Sequence, residues 1–562
     1  MPTVSGTSSS TNGAAVRRLS AAALVLIIAA SVAIRCRYIS RGLWTAEAWV
    51  ANSVLESTLS RMFFYSRWLQ TTPPLFLLLV RSAVRVFGLG NAVLRAVPLA
   101  FGIAAVLLQA VLNSRMFRPC FAVFGTALVA FSPVAVALSK ELKQYSADCA
   151  AAALVLLLLW NYRTQLGGRA FRRIVVAFAV LPWLSHTTVA FGPLVLGVLA
   201  TAGAAHEENS RRVRLWRCII AGLTLLAAGT LHYVLLIRPN APPHLSAFWR
   251  EGFPQLDSFR SAVHFYSLHF AGLPVLFFLE PTSKDALVGC LRAVPPAAQL
   301  LAGIAMLVLV GAVLARLRRE ASRLLVASMA AVPVFSLAAL NLLNLYPVSA
   351  RRLLLSLLPS IALAWTLALE VFWESLVVPR VSARAALRMQ SGLVILSAAA
   401  SVASLLSRPW LPGEREDIEA AMRFLKANAT RVDLVYAHAS IAEPARLYVR
   451  MLHWSAPRIV YGDAGGPCCT RHPEVSGAPS DTATLQDEMR YLLDQGHGRT
   501  VWLLSTGRTE HWQELRRNDP ALMIAGLSAA GCRFVKTVPV PDVALHELVC
   551  GNSTSRDSAT LH

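Results

Sequence analysis

The sequence predicts a polytopic α-helical membrane protein that carries a water-soluble α/β domain at its C-terminal end. Three observations lead there. Of 562 residues, 55% are hydrophobic and 15% charged, a balance that one soluble core cannot hide and that lipid tolerates. Apolar windows long enough to cross a bilayer recur between basic residues. After Trp410 the texture changes to short, alternating helical and strand patterns.

The windows run over Leu19 to Ile34, Ala96 to Ser114, Pro119 to Ser139, Cys149 to Tyr162, Ile174 to Ala205, Cys218 to Ile237, Ala293 to Ala315, Leu324 to Ala350, Leu353 to Pro379 and Met389 to Ser407. Ile174 to Ala205 is too long for one helix. It contains Pro182 and Pro193 around the polar patch Ser185-His186-Thr187-Thr188, which reads as two short helices and a turn. With that split the spans are about 11 in number. Arg17 and Arg18 precede the first, and Arg115/Arg118, Arg163 to Arg173, Arg211 to Arg217, Arg316 to Arg323 and Arg380 to Arg388 fall in alternate loops. The positive-inside rule therefore puts the N-terminus in the cytoplasm and everything after Ser407 outside the inner membrane. Residues 1–18, polar and Ser-rich, are expected to be disordered; residues 19–409 form the membrane domain and 410–562 the extracytoplasmic one. Pro74 to Gly88 carries Arg81 and Arg85 on one helical face and is expected to lie at the outer interface as an amphipathic helix. Ser261 to Leu279, with His264, His269 and Pro274, reads as interfacial or re-entrant.

In the C-terminal domain, helices are expected near Glu414 to Ala427, Ala442 to Leu452, Leu485 to Asp494 and Glu510 to Ala529. Strands are expected at Leu434 to Ala437, Arg458 to Tyr461, Thr500 to Leu504 and Phe534 to Val540, the last forming a hairpin with Leu545 to Val549. Cys532 and Cys550 flank that hairpin and are the preferred disulfide pair; the neighbours Cys468 and Cys469 are poorly placed to pair with each other.

Composition also excludes functions. The formal net charge of +22 follows from arginines in the loops on one side and, with no basic-aromatic module, does not indicate nucleic-acid binding. Nine cysteines lack the spacing of a zinc site, so no metal site is expected, although a divalent cation is left open. No internal repeat supports an inverted-repeat transporter.

Once the loop arginines are assigned to topology, the polar residues left on the outer side fall into clusters. One is Arg35, Arg37 and Arg41 followed by Gly42-Leu43-Trp44-Thr45-Ala46-Glu47-Ala48-Trp49, reaching Thr72-Pro73-Pro74-Leu75. Another is Ser139-Lys140-Glu141-Leu142-Lys143-Gln144-Tyr145. Then come Ser185-His186-Thr187 and Tyr346-Pro347 to Arg351-Arg352-Leu353-Leu354. In this order the clusters resemble the outer motifs of the GT-C membrane glycosyltransferases, in the group related to dolichyl-phosphate-mannose protein mannosyltransferases and aminoarabinose transferases. Leu43-Trp44-x-x-Glu47-Ala48 is similar to its LWxDEA motif, and Thr72-Pro73-Pro74-Leu75 to its HPPL stretch. Phe87-Gly88 to Leu94-Arg95-Ala96-Val97-Pro98 is similar to FG…LRLPS, and Ser139 to Tyr145 to YSxExRxY. The likeness covers roughly residues 20–375. One departure stands out: Ala46 occupies the place of the family's catalytic aspartate.

The resemblance implies transfer of a sugar from a polyprenyl phosphate to a glycan, lipid or protein acceptor at the outer face, with inversion and with no organic cofactor. Such chemistry needs a carboxylate for the acceptor proton and cations for the departing phosphate. Glu47 is the candidate base, against the alternative of a structural ion pair with Arg37 or Arg41. Glu141 is the candidate for orienting a substrate, against an ion pair with Lys143 or Lys140. Arg351 and Arg352, with Lys143 and Tyr145, are candidates for the donor phosphate, against simple contact with headgroups. His186 and Trp44 are possible substrate-site residues, against a backbone-bonded turn residue and an interfacial anchor. Because Ala46 removes the aspartate, a catalytically silent GT-C-like assembly protein remains the alternative, with a transporter behind it.

Overall fold

The computed structural model describes residues 8–64, 71–163, 168–201, 208–240, 252–254, 258–266, 277, 321–348, 351–407, 417–455, 458–462, 482–507 and 519–551. The helices are α1 (Ser8–Cys36), α2 (Thr45–Val54), α3 (Leu59–Phe63), α4 (Pro74–Phe87), α5 (Asn91–Met116), α6 (Pro119–Ala130), α7 (Pro133–Leu138), α8 (Tyr145–Tyr162), α9 (Gly168–Val180), α10 (Gly192–Thr201), α11 (Glu208–His232), α12 (Phe259–Tyr266), α13 (Ala321–Leu342), α14 (Leu358–Phe372) and α15 (Ala383–Ser407). A further four, α16 (Ile418–Asn428), α17 (Ala442–Met451), α18 (Thr482–Gly496) and α19 (Asp519–Ala529), belong to the C-terminal domain with β1 (Leu434–His438), β2 (Arg458–Gly462), β3 (Thr500–Thr506), β4 (Cys532–Val540) and β5 (Val543–Cys550).

Among the described residues, 7 helical stretches are long and apolar enough to cross a membrane, lying at 14–36, 91–116, 145–162, 215–240, 322–342, 352–380 and 383–403. Each overlaps one expected window. The window Pro119 to Ser139 is not one rod: Pro133 has no N–H to give and ends the helix, so the chain makes α6 and then α7, capped by Ser132, whose hydroxyl accepts from the Ala135 amide at 3.3 Å. The split of 174–205 is present, with 3₁₀ turns at Leu181–Trp183 and His186–Phe191 between α9 and α10. The window 293–315 and the Cys468-Cys469 pair lie outside the described residues.

Two expectations need correction. The first helix begins at Ser8, so the segment from there to Leu19 is helical rather than disordered; a nucleated apolar helix propagates cheaply into Ala-containing flanks. Pro74–Phe87 is the expected helix, but its arginines part company. Arg81 turns inward, 8% exposed, and donates to the Ser57 carbonyl at 3.1 Å, whereas Arg85 stays exposed. Of Ser261 to Leu279, the described parts are the end of α12, where the Tyr266 hydroxyl donates to the Ala338 carbonyl at 3.3 Å, and buried Phe277, whose carbonyl accepts from the Ser132 hydroxyl at 2.8 Å.

Small residues let the helices close on one another, as expected where lipid supplies no hydrophobic drive. A side chain at Gly102 of α5 would run into Ser139, and one at Gly125 of α6 into Thr366 of α14. The Ser146 hydroxyl of α8 donates to the Pro98 carbonyl of α5 at 2.8 Å, pinning those two helices. Buried Arg35, at the end of α1, donates to the Ala130 carbonyl at 2.7 Å and so satisfies the open end of α6. At the end of the bundle away from the C-terminal domain, Arg118 pairs with Glu374 at 2.6 Å and Arg323 pairs with the same carboxylate. Arg115 reaches Asn161 there, so the loop arginines gather at one end.

The C-terminal domain has a sheet of order β2-β1-β3-β5-β4, parallel through its first three strands and antiparallel through the last two. The expected helices and strands are present in the expected order. β1 is buried along its whole length, as a central parallel strand covered on both faces must be. Cys532 and Cys550 face one another across the β4–β5 hairpin and are disulfide-bonded. The bond closes a loop 18 residues apart in sequence, and removing it by Cys532→Ala is expected to lower the domain's stability by about 2–4 kcal/mol. Chemical unfolding followed by amide hydrogen exchange in β3, where Trp502 is buried against Phe424, will read that loss.

Candidate functional site

The site forms at the end of the bundle that carries the C-terminal domain, from three stretches far apart in sequence. The first is the loop between α1 and α4. Trp44 is the N-cap of α2, its carbonyl accepting from the Glu47 and Ala48 amides at 3.0 Å each. The Glu47 carboxylate reaches back to accept from the Trp44 amide at 3.3 Å, the carboxylate half of a capping box, since an indole has no acceptor to supply the other half.

Glu47 is buried without exposure, and so is Arg95 on α5. The two form a bidentate pair, Arg95 Nη2 to Oε2 at 2.5 Å and Nε to Oε1 at 2.8 Å. Arg95 spends its other donors on the carbonyls of Ile39 at 3.1 Å, Arg41 at 2.5 Å and Gly42 at 2.9 Å. Glu47 Oε1 also accepts from the Leu142 amide at 2.7 Å. The guanidinium that holds Glu47 thus comes from α5, not from its sequence neighbours, and its carboxylate joins α2, α5 and the segment before α8. Sequence reasoning missed Arg95 as a site residue. Its signal was present, because a charge four residues into an apolar helix has to be paired.

The second stretch is Ser139 to Tyr145. Lys140 and Glu141 are buried. They face different neighbours: Lys140 sits in the field of Arg35, Arg37 and Arg41, while Lys143 sits in the fields of Glu141, Arg352 and Glu47. The Lys143 ammonium also lies over the Trp49 ring, 5.9 Å from its centroid. Burial, helped by the Arg352 charge and opposed by Glu141 and Glu47, lowers the Lys143 pKa to about 8. Burial and the three arginines lower that of Lys140 to about 8 as well.

The third stretch is the 3₁₀ turn Arg351–Leu357 that opens the span before α14. Arg352 meets the field of Lys143; the side chain of Arg351 is outside the described residues. Tyr346 bonds through its hydroxyl to the Leu353 carbonyl at 2.8 Å, which fastens the approach to that turn. Tyr145, buried at the start of α8, lies in electrostatic contact with Tyr346. Of the residues expected together, Glu47, Glu141, Lys143 and Arg352 are therefore brought to one place, with Tyr145 alongside.

His186 lies elsewhere. Its Nε2 bonds to the Thr71 carbonyl, and its ring stacks on His232 with centroids 4.8 Å apart. His232 in turn stacks on Trp183. A small cleft lined by Thr71, Thr72, Pro74, His232 and Asn240 opens beside this stack. Among the described residues no group of three metal-binding side chains comes together.

Removing one partner of a fully buried pair strands the other charge, at a cost of about 3–5 kcal/mol. Arg95→Met is therefore expected to lower the stability of the protein in detergent by that order. Glu47→Gln sets an NH2 group against donors and leaves the Arg95 charge unpaired, so it should cost a similar amount. Thermal denaturation of the two variants beside the unmodified protein will check both losses.

No family model and no curated protein sequence matches this chain. Solved structures do. ArnT from Cupriavidus metallidurans in the apo state superposes with a TM-score of 0.52 at 14% identity, over 93% of this chain and 97% of that one. The same protein bound to undecaprenyl phosphate gives 0.50 at 13% identity, over 94% and 97%. The Archaeoglobus fulgidus oligosaccharyltransferase in the apo form gives 0.48 at 14% identity, over 87% and 69%. The chain has the fold of ArnT along nearly its whole length, a polytopic helical bundle with a C-terminal sheet domain.

Proposed function

We propose that the protein is a glycosyltransferase that moves a sugar from a polyprenyl-phosphate donor to an acceptor at the outer face of the cytoplasmic membrane, with the C-terminal domain on that side. The observation that supports it most is the convergence of Glu47, Glu141, Lys143 and Arg352 from three separated segments. The fold shared with an ArnT that was crystallised with undecaprenyl phosphate supports the same reading.

The chemistry divides among these residues. An acceptor hydroxyl or amine attacks the anomeric carbon while the bond from that carbon to the phosphate oxygen breaks. The proton of the attacking group passes to a carboxylate, and the departing phosphate keeps the electron pair. Lys143 and Arg352, with Arg351 beside it in sequence, supply the positive field for that phosphate. Glu141 is the better proton acceptor of the two carboxylates, because both Glu47 oxygens already accept from Arg95 and from backbone amides. Glu47 is assigned instead to shaping the loop. Trp44, at the N-cap of α2, is assigned to the rim of the substrate site, whereas His186, stacked on His232, is assigned to holding its own turn to Thr71.

A second reading has its own observation. Ala46, buried in the first turn of α2, stands where the GT-C motif has its aspartate, and Glu47 beside it is fully occupied. A silent member of the fold, serving in assembly, fits both facts. Transfer from a synthetic polyprenyl-phosphate sugar, measured on the purified protein in lipid vesicles, separates the two readings. If the protein is an enzyme, Glu141→Gln and Arg352→Ala lower transfer by about 100-fold or more while the protein remains folded in the membrane. Undiminished transfer in both variants would sink the assignment, and no transfer by the unmodified protein would favour the silent reading.

The pH dependence follows from Lys143. A lysine is cationic below its pKa, so it holds its charge at pH 7 and gives it up as the pH rises through about 8. Donor affinity is expected to weaken across that interval, seen as a rise in donor KM. In Lys143→Arg, which stays charged, the rise should disappear.

A further inference from the structure

The C-terminal domain touches the bundle at the loop that carries Glu47, and the contact is polar and buried. Asn52, near the end of α2, donates through Nδ2 to the Glu443 carbonyl at 2.9 Å and to its carboxylate at 2.8 Å. Asn91, at the start of α5, donates to the Glu419 carboxylate at 2.7 Å and to the Ser40 carbonyl at 3.2 Å. Between these bridges the fully buried phenol of Tyr448, on α17, accepts a hydrogen bond from the Leu43 amide at 2.5 Å.

The neighbouring half of that peptide unit is bound from the other side. The Gly42 carbonyl, in the same plane as the Leu43 N–H, accepts from Arg95 Nη2 at 2.9 Å. A planar peptide cannot turn one end without the other. The Gly42–Leu43 plane is therefore clamped between Arg95 of the bundle and Tyr448 of the domain. The loop lies close enough that a Cβ on Gly42 would sit 3.2 Å from the Glu419 Cβ and 3.4 Å from the Tyr448 hydroxyl. Arg95 is the residue that also holds Glu47, and Glu47 in turn holds the Leu142 amide between Glu141 and Lys143.

We infer that the C-terminal domain is a working part of the candidate site, with Tyr448 as a positioning residue that sets the Gly42–Leu43 peptide and through it the Arg95–Glu47 pair and the segment bearing Glu141 and Lys143. The consequence for turnover rests on the transferase reading above; the consequence for loop geometry does not. Tyr448 touches no reacting atom in this scheme. Its effect is on where the site residues stand.

Tyr448→Phe in the full chain, reconstituted in lipid nanodiscs, isolates this. Phenylalanine keeps the packing and removes the acceptor, leaving the buried Leu43 N–H without a partner. Amide hydrogen exchange of peptides covering residues 41–48 is expected to quicken about tenfold or more, with exchange in β1 and β3 unchanged. Polyprenyl-phosphate sugar transfer should lose about tenfold or more in kcat with donor KM within twofold. Val432→Ser, at a position 66% exposed in the same domain, should alter neither. Unchanged exchange at 41–48 in Tyr448→Phe overturns the inference, and so does faster exchange spread equally through β1 and β3, which would mean general loosening of the domain. Should the unmodified protein transfer no sugar, the transferase reading fails by itself and the exchange arm still decides the role of Tyr448.

Discussion

The buried Glu47–Arg95 pair is the constraint on which the domain-bearing end of this protein depends. Two charges removed from water stabilise a structure only if each finds a full set of partners. Here five donor contacts of Arg95 and four acceptor contacts of Glu47 meet that requirement. The backbone partners come from the loop after α1, the cap of α2 and the segment before α8, none of which is regular at that point. Their backbone groups would otherwise be unsatisfied near a bilayer, and the ion pair solves that difficulty together with its own.

The cations around this strut fall into two groups for a physical reason. Arg35 and Lys140 are buried and lie close to helix ends, and Arg35 closes the carbonyl end of α6. Lys143 and Arg352 lie in one another's field near Glu141, by the starts of α8 and of the 3₁₀ turn Arg351–Leu357, and a cation has no cap to make at a helix N-terminus. Burial is the main cause of the lowered Lys143 pKa; Glu141 opposes it and the like charge of Arg352 adds to it. Such an arrangement is favourable when an anion enters it, the electrostatic pattern suited to a phosphate that leaves with two negative charges.

The coupling of the soluble domain to this end gives the chain continuity between parts of different solvent. α16 and α17 reach the bundle through Glu419, Glu443 and Tyr448, while the opposite edge of the sheet is closed by the β4–β5 hairpin and its disulfide. Burial raises the Tyr448 phenol above its ordinary pKa, so it remains a neutral hydroxyl at any physiological pH. The contact is therefore insensitive to pH, in contrast with Lys143.

Several features were readable in the amino-acid order alone because they depend on local chemistry. Apolar windows between arginines located the spans, since a bilayer imposes both length and charge placement on every helix. Alternation of strand and helix patterns located the five strands and the Cys532–Cys550 hairpin. The motif clusters, though far apart in sequence, pointed to the kind of fold that the chain shares with ArnT. What only the tertiary structure decided is which charges meet. Glu47 had Arg37 and Arg41 as near neighbours in sequence, yet its partner is Arg95; Arg81 and Arg85 share a helical face on paper, yet one is buried against Ser57 and the other is exposed. Pairing energies fall off within a few ångströms and depend on burial, and both quantities exist only after the helices have packed.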